Sequence, residues 1–502
     1  MECLLLFVEG GKVIMKRHQP SASFCRGQAL CSAPSPRGSG RAQATVCAGI
    51  VLAMTAWSGA RAEPAEVPTP SVTLAPDAGA MFNASRIDLA KHGISEREFF
   101  FSGNVASGQY KSRMIVRRPA EARRFNGTVI VEWMNASSGN DIDVDFLSIL
   151  PLVEQEGYAY VAVTSQAVAV DFLRGQNTAR YGTLQLTDSA PEQSAAFEVF
   201  SQAGKALLDQ RTSADLLDGL QAIRLIAIGQ SQSSARLTAM INKIHGLRLA
   251  PIYAAYIPHS GGAAPLRFPV PVLKLSSENE APTYFGYRAV ADVKYRYWEV
   301  PGTAHQPNAG NAYAHELLAQ ARGSFPNCPF PYDGPGGPVP MDPILRAAIA
   351  QVDVWLRTGV APAVAPLIDM IADPKNPTNG LIQRDSFGNA LGGIRMPQQE
   401  VPTGRNTPSF ACVVSLPGSP AKTSLATFPQ WDAFNGGIDP TVDPTDTVNA
   451  IEPTSARALY GDHERYVQKF AAATSVVQAG GFILASDARN LITEAAQSNV
   501  AK

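Results

Sequence analysis

The sequence predicts an α/β protein: a mostly parallel central sheet flanked by helices, with antiparallel N-terminal strands and a C-terminal extension wrapping the core. Three observations predict it. Short β-branched apolar runs recur through the middle of the chain, stretches of helical spacing separate them, and the Pro- and Gly-rich tail has too few helices to bury a good core alone.

In chain order, "EREFFFSGNV" (96–105) and "KSRMIVRRPA" (111–120) read as antiparallel strands at one end of the sheet. Next come "GTVIVEWM" (127–134), "YAYVAVT" (158–164), "LIAIG" (225–229), "IYAAYIP" (252–258), "VPVLKLS" (270–276) and "YRYWEV" (295–300). Runs this short and apolar suit strands buried on both faces. "SAAFEVFSQAGKALLDQ" (194–210), "SSARLTAMINKIH" (233–245) and "AYAHELLAQAR" (312–322) have helical spacing, and the segment 167–215 is expected to build part of a substrate-facing cap. "FPNCPFPYDGPGGPVPMDP" (325–343) reads as a loop, because proline removes donors that helices and strands need. A helix over 344–359 should stop at Gly359, residues 360–455 carry mostly loop signals, and 457–499 read as two helices hinged at Gly480-Gly481. The expected organisation is a leader over 1–62 and a single domain over 63–502, with an extension from about 360.

Lys and Arg number 42 against 43 Asp and Glu in 502 residues, so no basic excess points to nucleic acid or an anionic membrane surface. A small-molecule substrate is the expected partner. No phosphate loop, zinc spacing or dinucleotide fingerprint occurs, so no cofactor or metal is expected. "DIDVD" (Asp141, Asp143, Asp145) and "DPTVDPTD" (Asp439, Asp443, Asp446) lack the glycine spacing and terminal glutamate of a calcium loop, and both read as solvated loops.

Residues 43–59, "QATVCAGIVLAMTAWSG", form an apolar segment behind Arg37 and Arg41 and ahead of "ARA" at 60–62. That is the pattern of a secretory signal peptide cleaved near Ala62, with an uncleaved anchor as the alternative. The long stretch before it suggests a start at Met15 or later. The expected destination is the periplasm or the extracellular space. Four of six cysteines fall in this leader, leaving Cys328 and Cys412 as one disulfide or two free thiols.

The chemistry concentrates at "RLIAIGQSQSSARL" (224–237). A strand, a sharp turn and a helix would lift the Ser231 hydroxyl clear of the sheet, with Gly229 two residues before it and Ser233, in place of the usual glycine, two after. A Ser-rich helix N-cap is the bland alternative. A serine hydroxyl is nearly inert at neutral pH and needs a base, which in turn needs an orienting acid. Two strands downstream run into loops: "PVPVLKLSSENEAPTY" carries Glu278 and Glu280, and "YWEVPGTAHQPNAG" carries His305. The order Ser, acid, His fits this architecture. Glu280 is favoured as the acid from its distance past the strand end, with Glu278 the alternative. His245 and His315 sit on helices, and His259 is the rival base because it too follows a strand. The oxyanion would be held by the main-chain N–H of Gln232 and by that of Asn135 or Ala136.

At these residues the chain resembles the large, often exported bacterial alpha/beta hydrolase domain-containing proteins. "FNGTVIVEWMNASSG", "GYAYVAVTSQAV", "FEVFSQAGKAL", "GQSQSSARL", "YWEVPGTAH", "FGNALGGIRMP" and "YVQKFAAATSVVQAGGFILASDA" carry the resemblance, over about residues 75–498. The resemblance implies the alpha/beta-hydrolase fold and a triad of Ser231, His305 and one of the two glutamates, with glutamate where the family usually has aspartate. It also supports a bond between Cys328 and Cys412. The expected function is an exported serine hydrolase that cleaves a carboxylic ester through an acyl-enzyme. A peptidase or acyltransferase with the same triad, or a catalytically silent small-molecule-binding protein, are the alternatives.

Overall fold

The computed structural model describes residues 3–9, 12–18, 63–188, 195–288, 290, 292–305, 339–407, 410–414, 422–426, 430–433 and 455–502. The segment 43–62, the helix at 312–322 with His315, Cys328, and Asp439, Asp443 and Asp446 lie outside these residues. Before residue 62, strands β1 (Cys3–Glu9) and β2 (Lys12–His18) pair antiparallel. Residues from Ala62 onward form one compact unit.

That unit is built on a nine-stranded sheet. Its strands are β3 (Ser71–Leu74), β4 (Ile94–Val105), β5 (Gly108–Pro119), β6 (Thr128–Trp133), β7 (Ala159–Val163), β8 (Arg224–Gln230), β9 (Ala255–His259), β10 (Val272–Ser277) and β11 (Tyr295–Val300). They lie in the order β3-β4-β5-β7-β6-β8-β9-β10-β11. β3, β4 and β5 pair antiparallel and β5 meets β7 antiparallel, while every pairing from β7 to β11 is parallel. The mixed sheet with an antiparallel N-terminal end is the predicted one.

Alternation along each strand divides the core into two faces. Val129, Val131 and Trp133 of β6 join one cluster, and Ile130 joins the other. The first face is covered by α4 (Ala195–Leu208) and α6 (Gln232–Ala239); Trp133 packs against Phe200 at 4.7 Å between ring centroids, and Phe200 stacks on Tyr253 at 4.7 Å. Such aromatic pairs add roughly 0.5–1.5 kcal/mol each beyond the area they bury. Within 167–215, expected as a cap, α2 (Ala167–Gln176) and α3 (Thr178–Tyr181) precede α4 and α5 (Gln210–Leu217) follows it, and α4 is itself a core helix with Phe197, Phe200, Ala203 and Leu207 buried. α4 covers the sheet with these buried side chains.

The second face is covered by α1 (Phe146–Glu156) and α7 (Asp342–Thr358). α7 carries Pro343 in its first turn, where the missing N–H costs nothing, and stops at Gly359 with φ 77°. The C-terminal helices α9 (Ala456–Tyr460), α10 (His463–Ala479) and α11 (Ala485–Gln497) continue this same core; α8 (Pro397–Glu400) is a single turn before them. Tyr466, Phe470 and Leu491 are buried in it, Trp298 of β11 meets Phe482 edge-on at 5.1 Å, and Arg346 of α7 binds Asp487 of α11 at 2.6 Å. α10 and α11 meet at Gly480-Gly481, with φ 77° at Gly481.

β6 has β7 on one side and β8 on the other, so the chain changes direction across the sheet at β6. A crevice outside the C-terminal ends of the strands is expected at such a point.

Candidate active site

β8 ends at Gln230 and α6 begins at Gln232, leaving Ser231 alone on the turn with φ 59° and ψ −116°. A serine rarely adopts this conformation, and it persists only where the surroundings hold it. The Ser231 N–H donates to the carbonyls of His259 (3.1 Å), the last residue of β9, and Ser260 (3.0 Å), in the loop after it. That loop presses in through two glycines: a Cβ on Gly261 would fall 2.8 Å from Ser231 Cα, and one on Gly262 would fall 2.7 Å from the Ala235 nitrogen. Sequence reasoning missed this pair; its signal is "HSGG" directly after a strand. Gly229 is needed because a Cβ there would meet Ser233 Cβ at 2.9 Å. Ser233 is buried under the turn against Gly229.

His305 Nε2 lies 2.8 Å from Ser231 Oγ, and its Nδ1 bonds to Glu280 Oε1. With Nδ1–H donating to the carboxylate, Nε2 is free to accept from the serine hydroxyl. Glu280 Oε2 accepts from the Ser277 N–H at 3.2 Å and from the Ser277 hydroxyl. Burial pushes the Glu280 carboxyl up, but the His305 bond and charge, the Ser277 hydroxyl and the Lys274 ammonium outweigh it, and it lies below the usual carboxylate range. The Gln230 side chain donates to the His305 carbonyl at 2.8 Å, tying the histidine loop to the serine strand.

Glu278 is turned to other partners. It is fully buried, accepts the Gly302 N–H at 2.6 Å and receives Arg384 at 2.7 Å. Arg384 belongs to the segment after the small hairpin of β12 (Met370–Ala372) and β13 (Gly380–Ile382).

Of the two main-chain donors expected after β6, the Asn135 N–H is committed to the Ile142 carbonyl at 2.9 Å. Asn135 is therefore corrected as an oxyanion donor: the loop closes on itself through that bond. The Ala136 N–H instead points to the side-chain Oε1 of Gln232, at 3.2 Å. The Asn135 side chain donates to the Gln230 carbonyl at 3.2 Å and bridges the ends of β6 and β8.

The acidic run after β6 is not solvated. Asp141, Asp143 and Asp145 are buried: Asp141 pairs with Arg113 at 3.5 Å and takes the Thr164 hydroxyl, Asp143 takes Arg117, and Asp145 Oδ2 lies 2.8 Å from His259 Nε2. The correction has a physical reason, since the Arg113 and Arg117 side chains on β5 and the His259 imidazole on β9 that they meet are distant in sequence. His259 is thus spoken for by Asp145 inside the core, away from the serine hydroxyl. His245 is buried edge-on to Tyr256, and burial, reinforced by Arg267, lowers its imidazole to about 4. Among the described residues, no group of three or more metal-ligating side chains occurs and no helix is long and apolar enough to cross a membrane.

Lys274 of β10 is also buried without a carboxylate in contact. Its ammonium donates to the Gly261 carbonyl and to Ser234 Oγ (3.3 Å), and lies 4.9 Å from the centre of the Tyr284 ring. Burial lowers it to about 7, against the opposing pull of Glu280.

A mostly parallel sheet with a serine on a strained strand-to-helix turn, and a histidine and a carboxylate on later strand ends, defines an α/β-hydrolase architecture. The chain belongs to the family described as alpha/beta hydrolase domain, whose model matches residues 64–493. No curated protein sequence matches it. Similar solved structures include a mutant of the rice cell wall degrading esterase LipA from Xanthomonas oryzae, at 16% identity over 34% of this chain and 42% of that one, TM-score 0.24. The esterase Est22 is 11% identical over 46% of this chain and 80% of its own, TM-score 0.31. A glucuronoyl esterase from Solibacter usitatus is 10% identical over 43% and 69%, TM-score 0.27. The match thus spans less than half the length of LipA.

Proposed function

We propose that the protein is a serine hydrolase that cleaves a carboxylic ester of a small molecule through an acyl-enzyme. The observation that carries the reading is the unbroken chain of bonds from Glu280 through His305 to Ser231 Oγ, on a turn whose strain aims the hydroxyl outward. In the first step Ser231 Oγ attacks the ester carbonyl carbon while His305 Nε2 takes its proton. Glu280 keeps Nδ1 protonated and stabilises the imidazolium. The C–O bond to the alcohol then breaks, and His305 returns the proton to the departing oxygen. Water repeats the sequence on the acyl-enzyme and releases the acid. The negative oxygen of each tetrahedral intermediate is held by the main-chain N–H groups of Gln232 and Ala136, with the N-terminus of α6 adding a favourable field. In the cell, we propose export, with the leader up to residue 62 removed by cleavage near Ala62.

Turnover of p-nitrophenyl esters of increasing acyl length tests this reading. Wild type should hydrolyse a subset of them, and Ser231→Ala and His305→Gln should each lose about a thousandfold or more in kcat. Equal turnover by folded Ser231→Ala would remove the serine from the mechanism.

A further inference from the structure

One oxygen beside the serine, just past β8, collects donors from the next two strands on one side of it in the sheet. The side-chain Oε1 of Gln232, just past β8, accepts from the Ala136 N–H past β6 at 3.2 Å and from Nε2 of Gln166 past β7 at 3.1 Å. β7, β6 and β8 are adjacent in the sheet, so their C-terminal ends deliver these groups to a single point. Gln166 is buried, at 3% exposure, and its backbone is fixed. It stands at the N-cap of α2 in extended conformation, with its carbonyl accepting the N–H groups of Ala169 (3.1 Å) and Val170 (3.2 Å).

A carboxamide oxygen is an sp² oxygen with partial negative charge, as is the carbonyl oxygen of an ester. Two donors, one of them a main-chain N–H already assigned to the oxyanion, converge on such an oxygen next to the nucleophile. We infer that Gln166 Nε2 is a further oxyanion donor, and that the Gln232 side-chain oxygen occupies the donor site at rest until the substrate carbonyl displaces it. This rests on the serine-hydrolase reading. A buried neutral donor suits such a role, because its N–H strengthens its bond as charge builds on the oxygen, with no reorganisation at the moment of reaction. Gln166 lies outside the triad, in the stretch "GYAYVAVTSQAV" (157–168), and no catalytic motif singles it out there.

The test compares wild type with Gln166→Leu and Gln166→Met, which keep the volume and remove the donor, and with Ser231→Ala. Each is assayed for p-nitrophenyl ester turnover and for inhibition by an alkyl trifluoromethyl ketone, which adds Ser231 Oγ to its carbonyl and leaves a charged oxygen in the donor site. The expected result is a fall in kcat of about a hundredfold for both Gln166 variants, with KM changed only a few fold. The inhibition constant for the ketone should weaken by a similar factor, which a merely structural role for Gln166 would not produce. If both variants bind the ketone and turn over ester like wild type while Ser231→Ala is inactive, the donor role of Gln166 falls and the serine mechanism stands. If Ser231→Ala is as active as wild type, the mechanism itself falls.

Discussion

Glu278 and Glu280 stand two residues apart, yet only Glu280 bonds to the His305 imidazole, while Glu278 is bound by Arg384 and the Gly302 N–H. Glu280→Gln should therefore lower kcat for a p-nitrophenyl ester by about a hundredfold to ten-thousandfold, because a carboxamide neither fixes the tautomer nor balances the imidazolium. Glu278→Gln should cost less than about tenfold in kcat and about 1–3 kcal/mol in stability by urea denaturation, since a partly exposed Arg384 loses its partner. The reverse ranking in kcat would assign the acid to Glu278.

Ser231 holds a positive φ that glycine adopts freely and alanine does not. Replacing the hydroxyl by either residue should abolish turnover. Ser231→Gly should then be more stable than Ser231→Ala by about 1 kcal/mol, measured as the difference in urea unfolding free energy. Equal stability of the two would mean the turn carries no strain.

Lys274 gives a pH signature. Its ammonium is held at about 7 in the fold against the ordinary 10.5 of the unfolded chain. Between those values the unfolded chain binds more protons, so stability rises with pH across this window. Below about pH 7 both states are protonated and the full cost of the buried charge is present. Wild type should accordingly gain stability relative to Lys274→Met as pH rises from 7 toward 10, by a few kcal/mol in all. Parallel stability curves for the two proteins over that range would contradict a buried, depressed lysine.

The buried contact between His259 and Asp145 should couple strongly. In a double-mutant cycle of His259→Ala and Asp145→Ala, the two losses should fall short of additivity by about 1 kcal/mol or more. Simple additivity would place the two side chains out of contact.

Much of this architecture was legible because strands covered on both faces must be apolar at consecutive positions. "TVIVEW" of β6 is buried at all six residues, and its one acid, Glu132, takes the Tyr160 hydroxyl; burial, with Asp145 and Asp143 nearby, pushes its carboxyl well above the usual range. The loops carrying Ser231, Glu280 and His305 could be located because each follows such a run. What escaped depends on partners far along the chain. Asp143 finds Arg117 across 26 residues and Asp145 finds His259 across 114, so a local count of charges suggested water where the fold supplies side-chain partners. Gly261 and Gly262 matter only because a different strand places the serine turn against them. Asn135 and Ala136 were inseparable until the Asn135 N–H found Ile142.

The central claim, that Ser231 is an activated nucleophile, is tested most directly by labelling the folded protein with a fluorophosphonate and mapping the modified peptide by mass spectrometry. The account predicts stoichiometric modification at Ser231 in wild type and none in Ser231→Ala. Absence of labelling in folded wild type, or equal labelling of the two proteins, would contradict it.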